Sequence, residues 1–185
     1  MIKVRHQRKA HICQGDIYRD IEMVERLRRA GEQIEISQII FPLVIVLTQD
    51  CDLEQDYGAR RSRRSTSNDD KLLLSVLVSP LYNAEHVYSG THLEDLGQRM
   101  QEINRKKSPG TNLRNNETPR YHYLEFPDEV QIPASVIDFK HYFSVNVLDL
   151  KAKKRTHFVC KVAELYRESI CQRFASYLAR VGLPG

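Results

Sequence analysis

The chain has 185 residues, of which 41% are apolar and 28% charged, with 28 Lys and Arg against 24 Asp and Glu for a net charge of +4. That length suits one well-buried core and is short for two, and no apolar run approaches the ~20 residues that cross a bilayer, which excludes a membrane helix. Four cysteines, Cys13, Cys51, Cys160 and Cys171, form no CxxC pair, which argues against a disulfide scaffold and a zinc ribbon.

The first residues include Lys3, Arg5, Arg8 and Lys9 without an apolar segment behind them, so no secretory signal is read and a cytoplasmic protein with reduced thiols is expected. Gly15 to Val24 suits a first strand, Glu25 to Gly31 a charged loop or helical turn, and Ile34 to Ile40 a second strand. Pro42 stands where a third strand begins, a position that tolerates a missing N–H, and Leu43 to Leu47 should be buried on both faces. Tyr57 to Asp70, rich in Arg, Ser, Asn and Asp, reads as a long loop before a strand within Lys71 to Leu81. Leu93, Leu96, Met100 and Ile103 recur at helical spacing, and Ser108-Pro109-Gly110 would stop that helix. Arg120 to Phe126 alternates as a half-exposed strand does, and Val136 to Leu150 holds two more extended segments. From Lys161 onward, Ile170, Cys171, Phe174, Tyr177, Leu178 and Val181 fall on one face of a closing helix, with Gly182 and Pro184 at its end. The sum is an α+β chain of about six strands, one domain over residues 1–185 with loop insertions at 57–70 and 91–110.

The stretch VIVLTQDCDL is the first place to look for chemistry, because a core strand runs into Thr48, Gln49, Asp50, Cys51 and Asp52. If the strand continues, Asp50 and Asp52 point to one face and could share a divalent metal such as Mg²⁺ or Mn²⁺; the simpler reading is that either caps a turn through backbone N–H groups. Cys51 as a nucleophile, with His122 or His141 as base, is opposed by the two flanking acids. His11-Ile12-Cys13 with His157 and Cys160 would bind zinc only if the fold joined them, and Cys160 and Cys171 read more simply as core residues.

Basic residues cluster in three places: Arg60, Arg61, Arg63 and Arg64; Arg105, Lys106 and Lys107; and Lys151, Lys153, Lys154 and Arg155. One such run is usually a solvated face, but three favour a polyanionic partner. Arg120, Tyr121 and His122 add a strand on which tyrosines alternate with basic groups, a pattern that can stack on unpaired bases.

Several short motifs occur in one order: Gly15-Asp16-Ile17, Phe41-Pro42 followed by Val44 to Thr48, Asp138 before Ser144-Val145, the Lys151 to Arg155 cluster, and Lys161 to Leu165 leading into a helix. In that order they resemble the PemK/MazF-like bacterial toxins. The resemblance implies an SH3-like β-barrel with an inserted and a C-terminal helix, RNA as substrate, an antitoxin or other protein partner, and a homodimer. It also implies metal-independent cleavage in which Thr48 positions the phosphate and an arginine neutralises it. The basic pair expected before Pro42 is Ile40-Phe41 here, which leaves Arg28 and Arg29 as candidates. The segment LTQDCDL, followed by YHYL, is also similar to uncharacterised bacterial proteins with a [ST]-Q-x-C-D-[LIV] signature, some in neighbourhoods of mobile or defence genes.

The expectation is therefore a nucleic-acid-directed protein, an endoribonuclease toxin or a binding derivative of one, with Thr48, Arg28, Arg29, Asp50 and Asp52 as catalytic candidates and no resident cofactor. The alternatives are a protein-interaction module and a metal-dependent hydrolase built on Asp50 and Asp52.

Overall fold

The computed structural model describes residues 1–62 and 69–180. The chain divides into two compact units: one formed by Met1–Arg5, Leu81–Tyr142 and Val162–Gly185, the other by His6–Pro80 and Phe143–Lys161. The fold is mixed α+β, with antiparallel sheets and five α-helices among the described residues.

In the second unit, β2 (Asp16–Ala30), β3 (Gln33–Val46), β4 (Ser75–Pro80), β8 (Phe143–Asn146) and β9 (Phe158–Val162) form an antiparallel sheet in the order β9-β2-β3-β4-β8. The edge strand β8 pairs only with β4 among the described residues, so the sheet stays open and the expected barrel is not closed. The helices are α1 (Asp50–Arg61) and α4 (Val147–His157), the latter packed on β2, β4 and β8. Val44 to Leu47 are buried as the apolar run requires, with Ile17, Tyr18, Ile21, Val76, Val78, Leu150 and Cys160 completing the core.

Three expectations change here. Glu25 to Gly31 is no loop: β2 runs on to Ala30 and pairs with β3 to the end, from Ile17–Ile45 to Ala30–Gln33. Only Asp16 to Tyr18 of β2 meet β9, and only Val44 to Val46 of β3 meet β4, so the rest of the hairpin stands as a two-stranded arm. Pro42 lies inside β3 rather than at its start. It is tolerated because the ladder is interrupted there: it falls opposite Asp20, whose φ of +52° takes it out of extended geometry, between the pairs Arg19–Leu43 and Ile21–Phe41. The acid-rich stretch is likewise no strand end, since Asp50 opens α1 and the helix carries Tyr57 to Arg61, residues read as loop.

The first unit holds β1 (Val4–Arg5), a three-stranded sheet ordered β5-β7-β6, and helices α2 (Ala84–Ser89), α3 (Gly110–Arg114) and α5 (Glu164–Leu178). Its strands are β5 (Tyr82–Asn83), β6 (Tyr121–Leu124) and β7 (Ser135–Asp138). All four residues of β7 are buried, and Phe139 packs on Phe174 and Tyr177 of α5 with ring centroids 5.6 and 5.9 Å away. On α5, Ile170 and Phe174 are buried as expected while Leu178 is 49% exposed; Val181, Gly182 and Pro184 lie outside the described residues.

The helix expected over Leu93 to Ile103 reduces to one 3₁₀ turn, Glu94–Leu96, ended by Gly97 at φ +68°. Beyond it the backbone bonds sideways: Met100 N–H donates to the Gly90 carbonyl and Ile103 N–H to that of Tyr88, which fixes the segment along α2 instead of within a helix. Gly90 permits this approach, because a Cβ there would lie 2.2 Å from the Met100 carbonyl oxygen.

Candidate functional site

Thr48 stands between the end of β3 and α1, and its hydroxyl accepts the Leu77 N–H at 2.7 Å, so its side chain ties β4 to the end of β3. Asp50 Oδ1 accepts the Gln14 N–H at 2.8 Å, and Lys161 Nζ lies 3.7 Å from Oδ2. Asp52 is exposed one turn position away. Two residues apart on an α-helix are about 200° apart around its axis, so Asp50 and Asp52 do not face a common ion. The N-cap residue of α1, Gln49, makes no side-chain capping bond, and the backbone N–H that Asp50 accepts is that of Gln14, remote in sequence. Cys51 is exposed, its Sγ 3.6 Å from Gln49 Oε1 and from Asp52 Oδ1, and His122 and His141 belong to the other unit.

Arg28 and Arg29 are exposed near the tip of the arm, opposite Glu35 and Ile34. At ~3.3 Å per residue along β3 they are on the order of 40 Å of strand from Thr48. The threonine and the arginines are therefore not brought together. Arg60 is committed to structure, holding Asp56 at 2.8 Å and the Leu73 carbonyl at 2.7 Å, whereas Arg61 is exposed beside the Tyr57 hydroxyl. Arg63 and Arg64 lie outside the described residues.

Sequence reasoning missed a buried polar cluster in the same unit. Asp16 Oδ2 accepts from the Cys13 N–H at 2.9 Å, the Tyr18 hydroxyl at 3.2 Å and Lys154 Nζ at 2.8 Å. Lys154, read as part of a basic turn, is on α4 with a side chain only 6% exposed, and it also donates to the His11 carbonyl. Burial and the carboxylate drive the Tyr18 hydroxyl far up, so it stays a donor. Nothing local in the sequence marks this pair, whose members are 138 residues apart.

In the first unit, Arg120 grips Asp138 through Nε, 2.9 and 3.0 Å from the two carboxylate oxygens, and through Nη2. Its guanidinium also lies 4.9 Å from the Tyr121 ring centroid. His122 is buried, and desolvation, with Arg173 nearby, pushes its pKa down to about 3. The alternation read on β6 is real, but it turns His122 inward and leaves Tyr121 and Tyr123 partly open.

Two adjoining hollows of about 270 and 310 Å³ share Arg114, Asn115 and Tyr123. The first adds Tyr88, Arg105 and Glu85, with the Arg105 guanidinium 4.5 Å over the Tyr88 ring and paired to Glu85; the second adds Asn116, Glu125 and Tyr166. Each is near the low end of the ~300–1,000 Å³ of small-molecule sites. Arg105 came from the basic runs and Tyr123 from the alternating strand, while Tyr88 and Arg114 carry no sequence motif, and the four meet only through the turns around α2 and α3.

Behind Asp138, His141 Nδ1 lies 3.5 Å from Oδ2 and the His92 ring centroid 6.4 Å from that of His141. Tyr82 packs against both rings, at 5.0 and 5.7 Å. Burial lowers the pKa of both histidines, partly offset by the Asp138 charge. None of the described helices is long and apolar enough to cross a membrane. The sequence matches no protein-family model, and comparisons with curated proteins and with solved structures find no significant match.

Proposed function

We propose that this protein is an RNA-directed binding protein that holds unpaired nucleotides in the cleft of its first unit. One observation carries the reading: two half-open tyrosines, Tyr88 and Tyr123, line a cleft together with the guanidinium groups of Arg105 and Arg114. Aromatic faces stack on any base, guanidinium groups answer phosphates, and together they make a sequence-tolerant single-strand site. Glu85 already neutralises Arg105 in part, so Arg114 is the principal phosphate contact.

Kinship with PemK/MazF-like toxins belongs to the same proposal. Its support is the antiparallel neighbourhood of the strands that carry Gly15-Asp16-Ile17, Phe41-Pro42 and Ser144-Val145 in a single sheet. Because Thr48 is engaged by Leu77 and lies far along the strand from Arg28 and Arg29, the proposal is for binding without cleavage by that set.

Fluorescence anisotropy with a labelled single-stranded 12-mer RNA tests it. Micromolar binding that weakens ~5-fold or more in each of Tyr123→Ala and Tyr88→Ala, and that falls with added salt, is expected. Absence of binding, or binding indifferent to Tyr88→Ala, Tyr123→Ala and Arg114→Ala, overturns the reading. Intact RNA should be recovered after incubation.

A further inference from the structure

We propose that His92, Asp138 and His141 form a binding site for a divalent transition-metal ion of the zinc, cobalt or nickel type, separate from the cleft. One ligand atom from each residue lies within 4.8 Å of the other two. Two imidazoles and a carboxylate are the donors such borderline ions take, and three protein ligands leave a position open for water or substrate.

The surroundings fit ligands better than a plain ion pair. Both ring nitrogens of His92 are buried, and neither makes a hydrogen bond of ordinary geometry among the described residues. Ring nitrogens shielded from water in that state recover little of their desolvation cost, and a metal ion would supply a partner. The His86 backbone acts on the same ring and favours its charged form, the influence expected of a carbonyl that fixes the tautomer of a ligating histidine.

Asp138 is fully buried, and its carboxylate is already aimed. Arg120 Nε lies 2.9 and 3.0 Å from its two oxygens, Nη2 also reaches Oδ2 and the Lys140 N–H reaches Oδ1, while His141 Nδ1 lies 3.5 Å from Oδ2. Ligating carboxylates are commonly held by such outer hydrogen bonds, so Arg120 orients the ligand rather than competing for it. Bonds of ~2.0–2.1 Å place tetrahedral ligand atoms about 3.4 Å apart, so side-chain rotations of about 1 Å close the site. His92 follows the α2 turn and His141 follows β7, both outside regular elements, where such adjustments are cheap.

Isothermal titration of the metal-free full chain with Zn²⁺, and Co²⁺ titration followed by visible absorption, test the assignment. One equivalent should bind, and His92→Ala and His141→Ala should each weaken it by more than ~100-fold, beyond the usual cost of losing an outer-shell partner. Cys51→Ser should bind as the parent does. His92→Gln, which keeps the side-chain volume closer, repeats the test should the alanine variants lose their far-UV circular dichroism. No saturable uptake, uptake unchanged in the histidine variants, or uptake abolished by Cys51→Ser overturns the proposal. RNA binding enters none of these readouts.

The β2–β3 arm carries an independent assignment: we infer that its apolar face is the docking surface for the arm of a second copy of this chain. Directly opposed residues share a face and successive pairs alternate, and the register skips Glu25 at a bulge. Val24, Leu27, Ile34, Ile36 and Ile40 therefore all lie on one face, each 53 to 68% exposed. The opposite face carries Arg26, Arg28, Glu35 and Ser37.

The exposed fractions amount to roughly 300 Å² of apolar surface per arm. Two arms then bring about 600 Å², close to the ~700 Å² of apolar area in the smallest stable interfaces. Stacked antiparallel about a two-fold axis, the arms bring Arg29 at one tip toward the base of the other, where Glu22 is held by Lys153 at 2.9 Å. Sedimentation at ~50 µM should give a dimer, and Leu27→Glu with Ile36→Lys a folded monomer. A monomeric parent overturns the inference, whether or not its arm binds RNA or vesicles, and so does a variant that stays dimeric.

Discussion

Lys154 of α4 sets its ammonium 2.8 Å from the Asp16 carboxylate of β2, with the two side chains 6% and 2% exposed. A buried pair of this kind adds little net stability over an apolar pair of similar shape, but removing one partner leaves the other charged in a poorly solvated place. Lys154→Met should therefore destabilise by about 3–5 kcal/mol in urea unfolding. Asp16→Asn together with Lys154→Met should recover part of that loss. A double-variant loss equal to the sum of the Lys154→Met and Asp16→Asn losses would show that the two charges are not coupled.

Thr48 makes a second, smaller test. Its hydroxyl is the acceptor for the Leu77 N–H. Thr48→Val keeps the shape and strands that donor, so a loss of about 1–3 kcal/mol is expected, while Thr48→Ser should stay within ~1 kcal/mol of the parent. RNA affinity should be unchanged in both. A Thr48→Val protein of parental stability but altered RNA affinity would return this residue to the functional candidates.

The apolar stretches were the legible part of the sequence. Leu43 to Leu47, a strand within Lys71 to Leu81 and the closing helix face with Ile170 and Phe174 follow from period and composition, because side chains that must be buried impose those periods; Val44 to Leu47 are buried and Leu43 partly so, β4 covers Ser75 to Pro80, and Ile170 and Phe174 are buried. A continuous apolar strand leads into Asp50 to Asp52, so the sequence suggests strand positions or a turn cap there, whereas the acids occupy the favourable first turn of a helix that runs to Arg61. The spacing of Leu93, Leu96, Met100 and Ile103 misled in the opposite direction: Gly97 stops the turn, and the Gly90 and Tyr88 carbonyls take the backbone bonds. The sites were least legible, since Asp16 with Lys154, and His92 with Asp138, are joined only by topology.

The cysteines should separate by reactivity. Cys51 is exposed, Cys171 half-buried, and Cys13 and Cys160 fully buried. Burial raises the pKa of the last two, to about 12 for Cys160, which removes the reactive thiolate as well as access. Maleimide labelling of the native protein, mapped by mass spectrometry, should modify Cys51 first and Cys13 and Cys160 only at the rate of unfolding. Fast labelling of Cys160 in native conditions would contradict the core packing around β9.

His122 predicts a pH dependence with a definite sign. Its pKa is pushed down to about 3, first by desolvation and then by the Arg173 charge, against ~6.5 in an unfolded chain. Above about pH 6.5 the ring is neutral in both states and makes no difference to stability. As the pH falls below that value the unfolded chain takes up a proton that the folded chain refuses, and stability drops by up to ~1.4 kcal/mol per pH unit until the folded ring titrates near the bottom of the window. His92 and His141, also shifted down, act in the same direction. Urea midpoints between pH 7 and 5 should therefore fall more steeply in the parent than in His122→Gln, with the gap widening by about 1–2 kcal/mol over that range. Parallel slopes would mean that the ring takes up its proton while folded, and a carbon-bound imidazole proton titrating near pH 6 by NMR would locate that error directly.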